Sequence, residues 1–71
     1  MLNFNDVQKL KEKYTSGTRI KLISMEDTQA PPIGTAGSVI SVDDIGTIHV
    51  AWDNGSTLGI IPGIDTFQII H

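Results

Sequence analysis

Two imidazoles, one indole and a scatter of carboxylates are the side chains through which this chain can do chemistry. His49 and His71 carry the only side chains that titrate near neutrality without a perturbing environment, so side-chain proton transfer at physiological pH would fall to them. Neither has a sequence neighbour that completes a metal or catalytic pair, and an imidazole lacking an orienting partner is a poor ligand or acid–base catalyst. His49 is therefore expected to face solvent. Asp43, Asp44, Asp53 and Asn54 gather at two glycine-closed turns, where their side chains accept backbone N–H groups and favour tight turns. Calcium would need six or more converging oxygens, and the alternating acidic spacing that arranges them is absent. With no cysteine, no glycine-rich phosphate loop and no paired histidines, the chain is expected to bind no metal or cofactor and to catalyse nothing.

Recognition is the chemistry that remains. The stretch Met25-Glu26-Asp27-Thr28-Gln29-Ala30-Pro31-Pro32-Ile33-Gly34-Thr35 is the longest connection, near the length at which loops carry function more often than they merely connect. Met25, Glu26, Asp27, Gln29, Pro31 and Pro32, with His49 on the adjoining face, are the candidate contacts for another protein or peptide. The plainer explanation has Met25 and Ile33 closing the fold while the two prolines stiffen the crossing. Trp52 can serve as an aromatic platform, but its phase with Ile48 and Val50 predicts a core position, its indole N–H finding an acceptor near the turn.

The net charge of −3 conceals a strong asymmetry. Lys9, Lys11, Lys13, Arg19 and Lys21 are the only cationic side chains besides the histidines, and all lie early in the chain. Every acid except Asp6 and Glu12 comes later. The basic segment keeps a nucleic-acid-binding accessory protein as the alternative function, although the lysines at 9, 11 and 13 share no helical face and no aromatic residues interleave them. The start of the chain is too polar for a signal peptide and no apolar run approaches the roughly 20 residues that span a bilayer, so a cytoplasmic protein without membrane contact is expected.

The elements that must position these residues follow from periodicity. Phe4, Val7, Leu10 and Tyr14 recur at steps of three and four, predicting an amphipathic helix over 4–14. Asn3 can cap it with Asp6 at the third helical position and Leu2 stapled onto Val7; Asn5 with Gln8 is the competing cap. Gly17 can supply the exit. From Thr18 onward the period is two, and residues 18–24, 37–43, 47–53, 56–61 and 66–70 read as strands. The expectation is one domain over 1–71, with a helical segment at 1–16 and, over 17–71, a mainly β five-stranded small SH3-like barrel built as an antiparallel meander.

Turn chemistry sets the registers. A two-residue loop at Asn54-Gly55 would put Leu58 and Ile60 on the wrong face, whereas a three-residue loop, Asp53-Asn54-Gly55 with Gly55 left-handed, pairs Trp52 with Ser56, Val50 with Leu58 and Ile48 with Ile60. The same device at Asp44-Ile45-Gly46 pairs Val42 with Ile48 and Ile40 with Val50. Ser41, His49, Ala51, Thr57 and Gly59 would then form a shallow platform on the reverse face. The last strand is expected at an edge, where self-association can occur through it or through the helix.

The runs Ala30-Pro31-Pro32-Ile33-Gly34-Thr35, Val42-Asp43-Asp44, Ile48-His49-Val50, Trp52-Asp53-Asn54-Gly55 and Pro62-Gly63, with Gly37 and Gly46, resemble an uncharacterised family of short bacterial and bacteriophage proteins (domain of unknown function family 4314) along essentially the whole chain. The resemblance implies a small phage-type or mobile-element protein and transfers no catalytic residue. A fainter likeness, limited to Val50–Gly55 and Gly63, is to barrel modules that bind peptides in large ubiquitin ligases. Together these features predict a small non-catalytic protein-binding or adaptor module.

Overall fold

The structure, a computed structural model, describes residues 3–70. The Leu2–Val7 staple and His71 lie outside the described residues. One helix, α1 (Phe4–Lys13), is followed by strands β1 (Arg19–Ser24), β2 (Ala36–Val42), β3 (Ile48–Trp52) and β4 (Thr66–Ile69). Asn3 caps the helix as its sequence predicts: its side chain accepts from the Asp6 N–H at 2.9 Å while Asp6 Oδ2 accepts from the Asn3 N–H at 3.3 Å. These contacts satisfy two amides that a helix start leaves without partners. Val7 is buried, and Leu10 and Tyr14 pack on the core, Tyr14 tilted against Phe67 with ring centroids 5.3 Å apart. Phe4 departs from the expected apolar stripe, being 74% exposed.

Both hairpins around β3 use the three-residue loop. Gly55 N–H donates to Trp52 O at 2.9 Å and Trp52 N–H to Ser56 O at 2.9 Å; Gly46 N–H donates to Asp43 O at 3.1 Å and Asp43 N–H to Thr47 O at 3.0 Å. The left-handed positions are the glycines, with φ of 92° at Gly55 and 89° at Gly46. A two-residue type I′ loop would also require positive φ at Asn54, where none is found. Val42 pairs with Ile48 and Ile48 bridges Ile60, so Ile48 is held from both sides.

Two features correct the sequence reading. First, a β-bulge between Val39 and Ser41 moves the pairing by one residue, so that Val39, not Ile40, faces Val50. Val39 is buried and Ile40 is turned out, because the extra residue exchanges the faces of the two neighbouring aliphatics. Second, the sheet has four antiparallel strands in the order β3-β2-β1-β4; it is open, not a closed five-stranded barrel. Residues 56–61 do not form the fifth strand. The buried Trp52 indole N–H takes the Leu58 carbonyl at 2.8 Å, which turns that carbonyl away from the β3 ladder and leaves the expected Val50–Leu58 pair unmade. A buried indole must find an acceptor, and that demand overrides the local strand pattern.

The chain then returns to bring β4 beside β1 as an edge strand, the position its sequence predicts. Ile20, Leu22, Val39, Val42, Ile48, Val50, Trp52 and Ile60 form the core on one face of the sheet, with α1 packed over β2. Each buried aliphatic side chain of this kind contributes about 1.5–3 kcal/mol. On the other face Arg19 reaches from β1 across Ser38 on β2 to Asp53, its Nη1 donating to Ser38 Oγ and to Asp53 Oδ1 at 2.9 Å each.

Candidate functional site

Ile60 is anchored in the core, and directly after it the chain reverses through Ile61-Pro62-Gly63-Ile64. Ile64 N–H donates to Ile61 O at 3.1 Å, Asp65 N–H to the same oxygen at 2.9 Å, and Asp65 Oδ2 accepts the Ile61 N–H at 2.8 Å. Proline followed by glycine at the two central positions suits this turn, since proline presets the first φ and glycine supplies the positive one. The consequence is that Ile61 and Ile64 project outward, 48% and 75% exposed. Ile45, at the tip of the β2–β3 hairpin, is 80% exposed and lies opposite them across a groove of about 450 Å³. None of these isoleucines is needed to fill the core, and clustered exposed aliphatics with polar margins mark interaction surfaces more often than single exposed ones do.

The groove continues past the turn. A second depression of about 280 Å³ shares Ile61 and Ile64 and is bounded by Met25, Glu26, Asp27 and Asp65. Asp27 Oδ1 accepts the Gln29 N–H at 2.7 Å, which bends the loop so that its first acidic residues border this depression. A third, more open hollow holds Gln29 and His49 with Ser56 and Thr57; it joins the first through Thr47 and the second through Leu58 and Gly59. Five of the sequence-predicted contacts, Met25, Glu26, Asp27, Gln29 and His49, therefore border one continuous face. Pro31 and Pro32 do not. Pro31 is buried, and the Pro32 carbonyl accepts both the N–H and the hydroxyl of Thr35, so the pair shapes the loop and is not presented on that face.

His49 has a partner that its immediate sequence neighbours do not supply. Its Nε2 lies 2.9 Å from Asp43 Oδ2, while Asp43 Oδ1 accepts the N–H groups of Ile45 at 3.1 Å and Thr47 at 2.9 Å. The His49 bond, followed by those two amides, outweighs the opposing desolvation and holds the Asp43 carboxyl below the ordinary carboxylate range. The signal was available: with Val42 opposite Ile48, residues 43 and 49 are diagonal neighbours on one face of the hairpin. The pair fastens the hairpin that carries Ile45. The isoleucine groove is not legible in the sequence, where Ile45 falls within a turn and Ile61 at the end of an expected strand.

The basic residues lie elsewhere. Lys11 Nζ pairs with Asp44 Oδ1 at 2.8 Å, tying α1 to the β2–β3 hairpin. Arg19 holds both oxygens of Asp53 and keeps that carboxyl below its usual range. Lys13 sits 5.4 Å from the Tyr14 ring centroid. Lys9 is exposed on α1 and Lys21 is half-buried on β1.

Among the described residues no three or more His, Asp or Glu side chains converge as metal ligands do, and no helix is long and apolar enough to cross a membrane. The whole arrangement, from the Asn3 cap to the end of β4, is the unit that a known family model spans. No curated protein matches the chain. The match runs over residues 3–70, and the chain accordingly belongs to the family described as Domain of unknown function (DUF4314).

Proposed function

We propose that this protein is a small non-catalytic module that binds another protein through the face formed by the isoleucine groove and the start of the 25–35 loop. The observation that carries the reading is the convergence of Ile45, Ile61 and Ile64, exposed at 80%, 48% and 75%, on the same face as Met25, Glu26, Asp27 and Gln29. Covering these aliphatics would yield about 25 cal/mol for each Å² removed from water. The turns that carry them are fixed by backbone hydrogen bonds, so little order has to be gained on binding. His49 contributes by stiffening the hairpin through Asp43. A phage- or mobile-element-type adaptor is the setting that the family resemblance favours.

A photo-reactive side chain placed at position 64 should capture a protein partner in cells of the source organism, and the same group at position 21, on β1, should not. Equal capture from both positions would remove the reading. So would retention of single- or double-stranded oligonucleotides at low salt that is lost on replacing Lys9, Lys13 and Lys21, which is the behaviour of a phosphate-binding protein.

A further inference from the structure

We infer that the occupant of this face is a linear peptide segment that places a Lys or Arg side chain within two residues of an aliphatic one; the inference rests on the protein-binding reading above. The size of the face argues for a segment over a folded surface. A standard interface takes about 800 Å² from each partner. That is more than a sixth of the 4560 Å² that this small protein exposes, whereas the face is broken into joined hollows of about 450, 280 and 460 Å³. Concavities of this order seat individual side chains of an extended chain.

Charge fixes the second half of the proposal. Glu26, Asp27 and Asp65 border the depression that Ile61 and Ile64 share with the groove. Among the described residues the ion pairs are Lys11 with Asp44 and Arg19 with Asp53, and His49 hydrogen-bonds Asp43, so none of the three bordering carboxylates has a cation of its own. Asp65 and Asp27 each give one oxygen to a backbone N–H, which fixes the direction of the other. A wholly apolar occupant would strip water from these carboxylates and return nothing, and an anionic one would be repelled. Lysine or arginine suits both regions at once: its hydrocarbon stem lies along Ile61 and Ile64 while its head remains hydrated beside the acids. The neighbouring aliphatic residue then occupies the groove between Ile45 and Ile64.

The probe is a displayed library of random linear dodecapeptides, selected on the immobilised full chain, with enriched peptides measured by fluorescence anisotropy. Selection should enrich Val, Ile or Leu within two positions of Lys or Arg. Binding should weaken tenfold or more in Ile64→Ala, and about three- to fivefold in Glu26→Gln or Asp27→Asn, with further weakening as salt rises. Thermal melts of the three variants, all altered at exposed positions, confirm that each is folded. Enriched peptides that carry no cation, bind independently of Glu26 and Asp27 and still need Ile64 would overturn the charge inference and leave the docking face standing. Peptides indifferent to Ile64→Ala would overturn both. A library without enrichment refutes the linear segment, and light scattering that shows a dimer dissolved by Ile64→Ala makes a second copy the occupant.

Discussion

Ile45 and Ile48 stand three positions apart on one hairpin, and truncating each to alanine removes the same hydrocarbon from opposite environments. Ile48 is 0% exposed, paired with Val42 on one side and bridged to Ile60 on the other. Deleting a buried isoleucine to alanine costs about 2–5 kcal/mol, part of it from the cavity left behind. Held from two sides, the surroundings of Ile48 have little freedom to collapse, which places the cost at about 3 kcal/mol or above. A chain of this length has about 4–10 kcal/mol of stability in total. Such a loss lowers the melting temperature by roughly 12–24 °C. Ile45, at 80% exposure, has little to lose, and Ile45→Ala should stay within about 0.5 kcal/mol of the parent. Urea unfolding followed through the fluorescence of Trp52, the one tryptophan, measures both on a common scale. Comparable losses in the two variants would refute the assignment of Ile48 to the core and Ile45 to the groove. A change in the slope of the unfolding line, and not only its midpoint, would show that truncation altered the compactness of the folded or unfolded chain or broke the two-state transition.

Further expectations concern the hairpins. Gly55→Ala should cost about 1–2 kcal/mol, since an L-residue is forced to a φ near 92°; a neutral result in urea melts would mean that the loop is not the three-residue form. Asp43→Asn should change how stability depends on acidity. Because the folded state keeps Asp43 ionised to lower pH than the unfolded chain does, its contribution is complete above the ordinary carboxylate pKa and is lost as pH falls through the lower, folded value. The parent should therefore lose stability below about pH 4 more steeply than Asp43→Asn. Parallel curves would show that His49 and the two amides do not favour the ionised form.

Much of the scaffold was legible because its signals are local. The Asn3–Asp6 cap, the glycine-closed loops and the alternation of Ile48, Val50 and Trp52 each depend on residues a few positions apart, and each appears as its chemistry requires. The failures come from partners distant in sequence or from irregularity. Residues 56–61 carry a strand pattern, yet the Trp52 indole draws off the Leu58 carbonyl and breaks the ladder. The bulge at Ile40 is invisible to a register counted from the turn, for two adjacent aliphatics serve either face equally well. Of the site, the loop residues Met25, Glu26, Asp27 and Gln29 were legible as an unusually long connection, and their common face with His49 is present. Its apolar centre was not. Ile45, Ile61 and Ile64 are assembled from two separate turns, and only the fold reveals that each is surplus to the core.

Under the proposed function a partner's side chains enter the groove between the two turns. Isoleucine δ1-methyl NMR of the full chain, titrated with a library-selected peptide, reads that groove atom by atom. Shifts are expected at Ile45, Ile61 and Ile64 with Ile20 and Ile48 unmoved in the core; shifts at Ile23, Ile33 or Ile40 with those three silent would contradict docking in the groove.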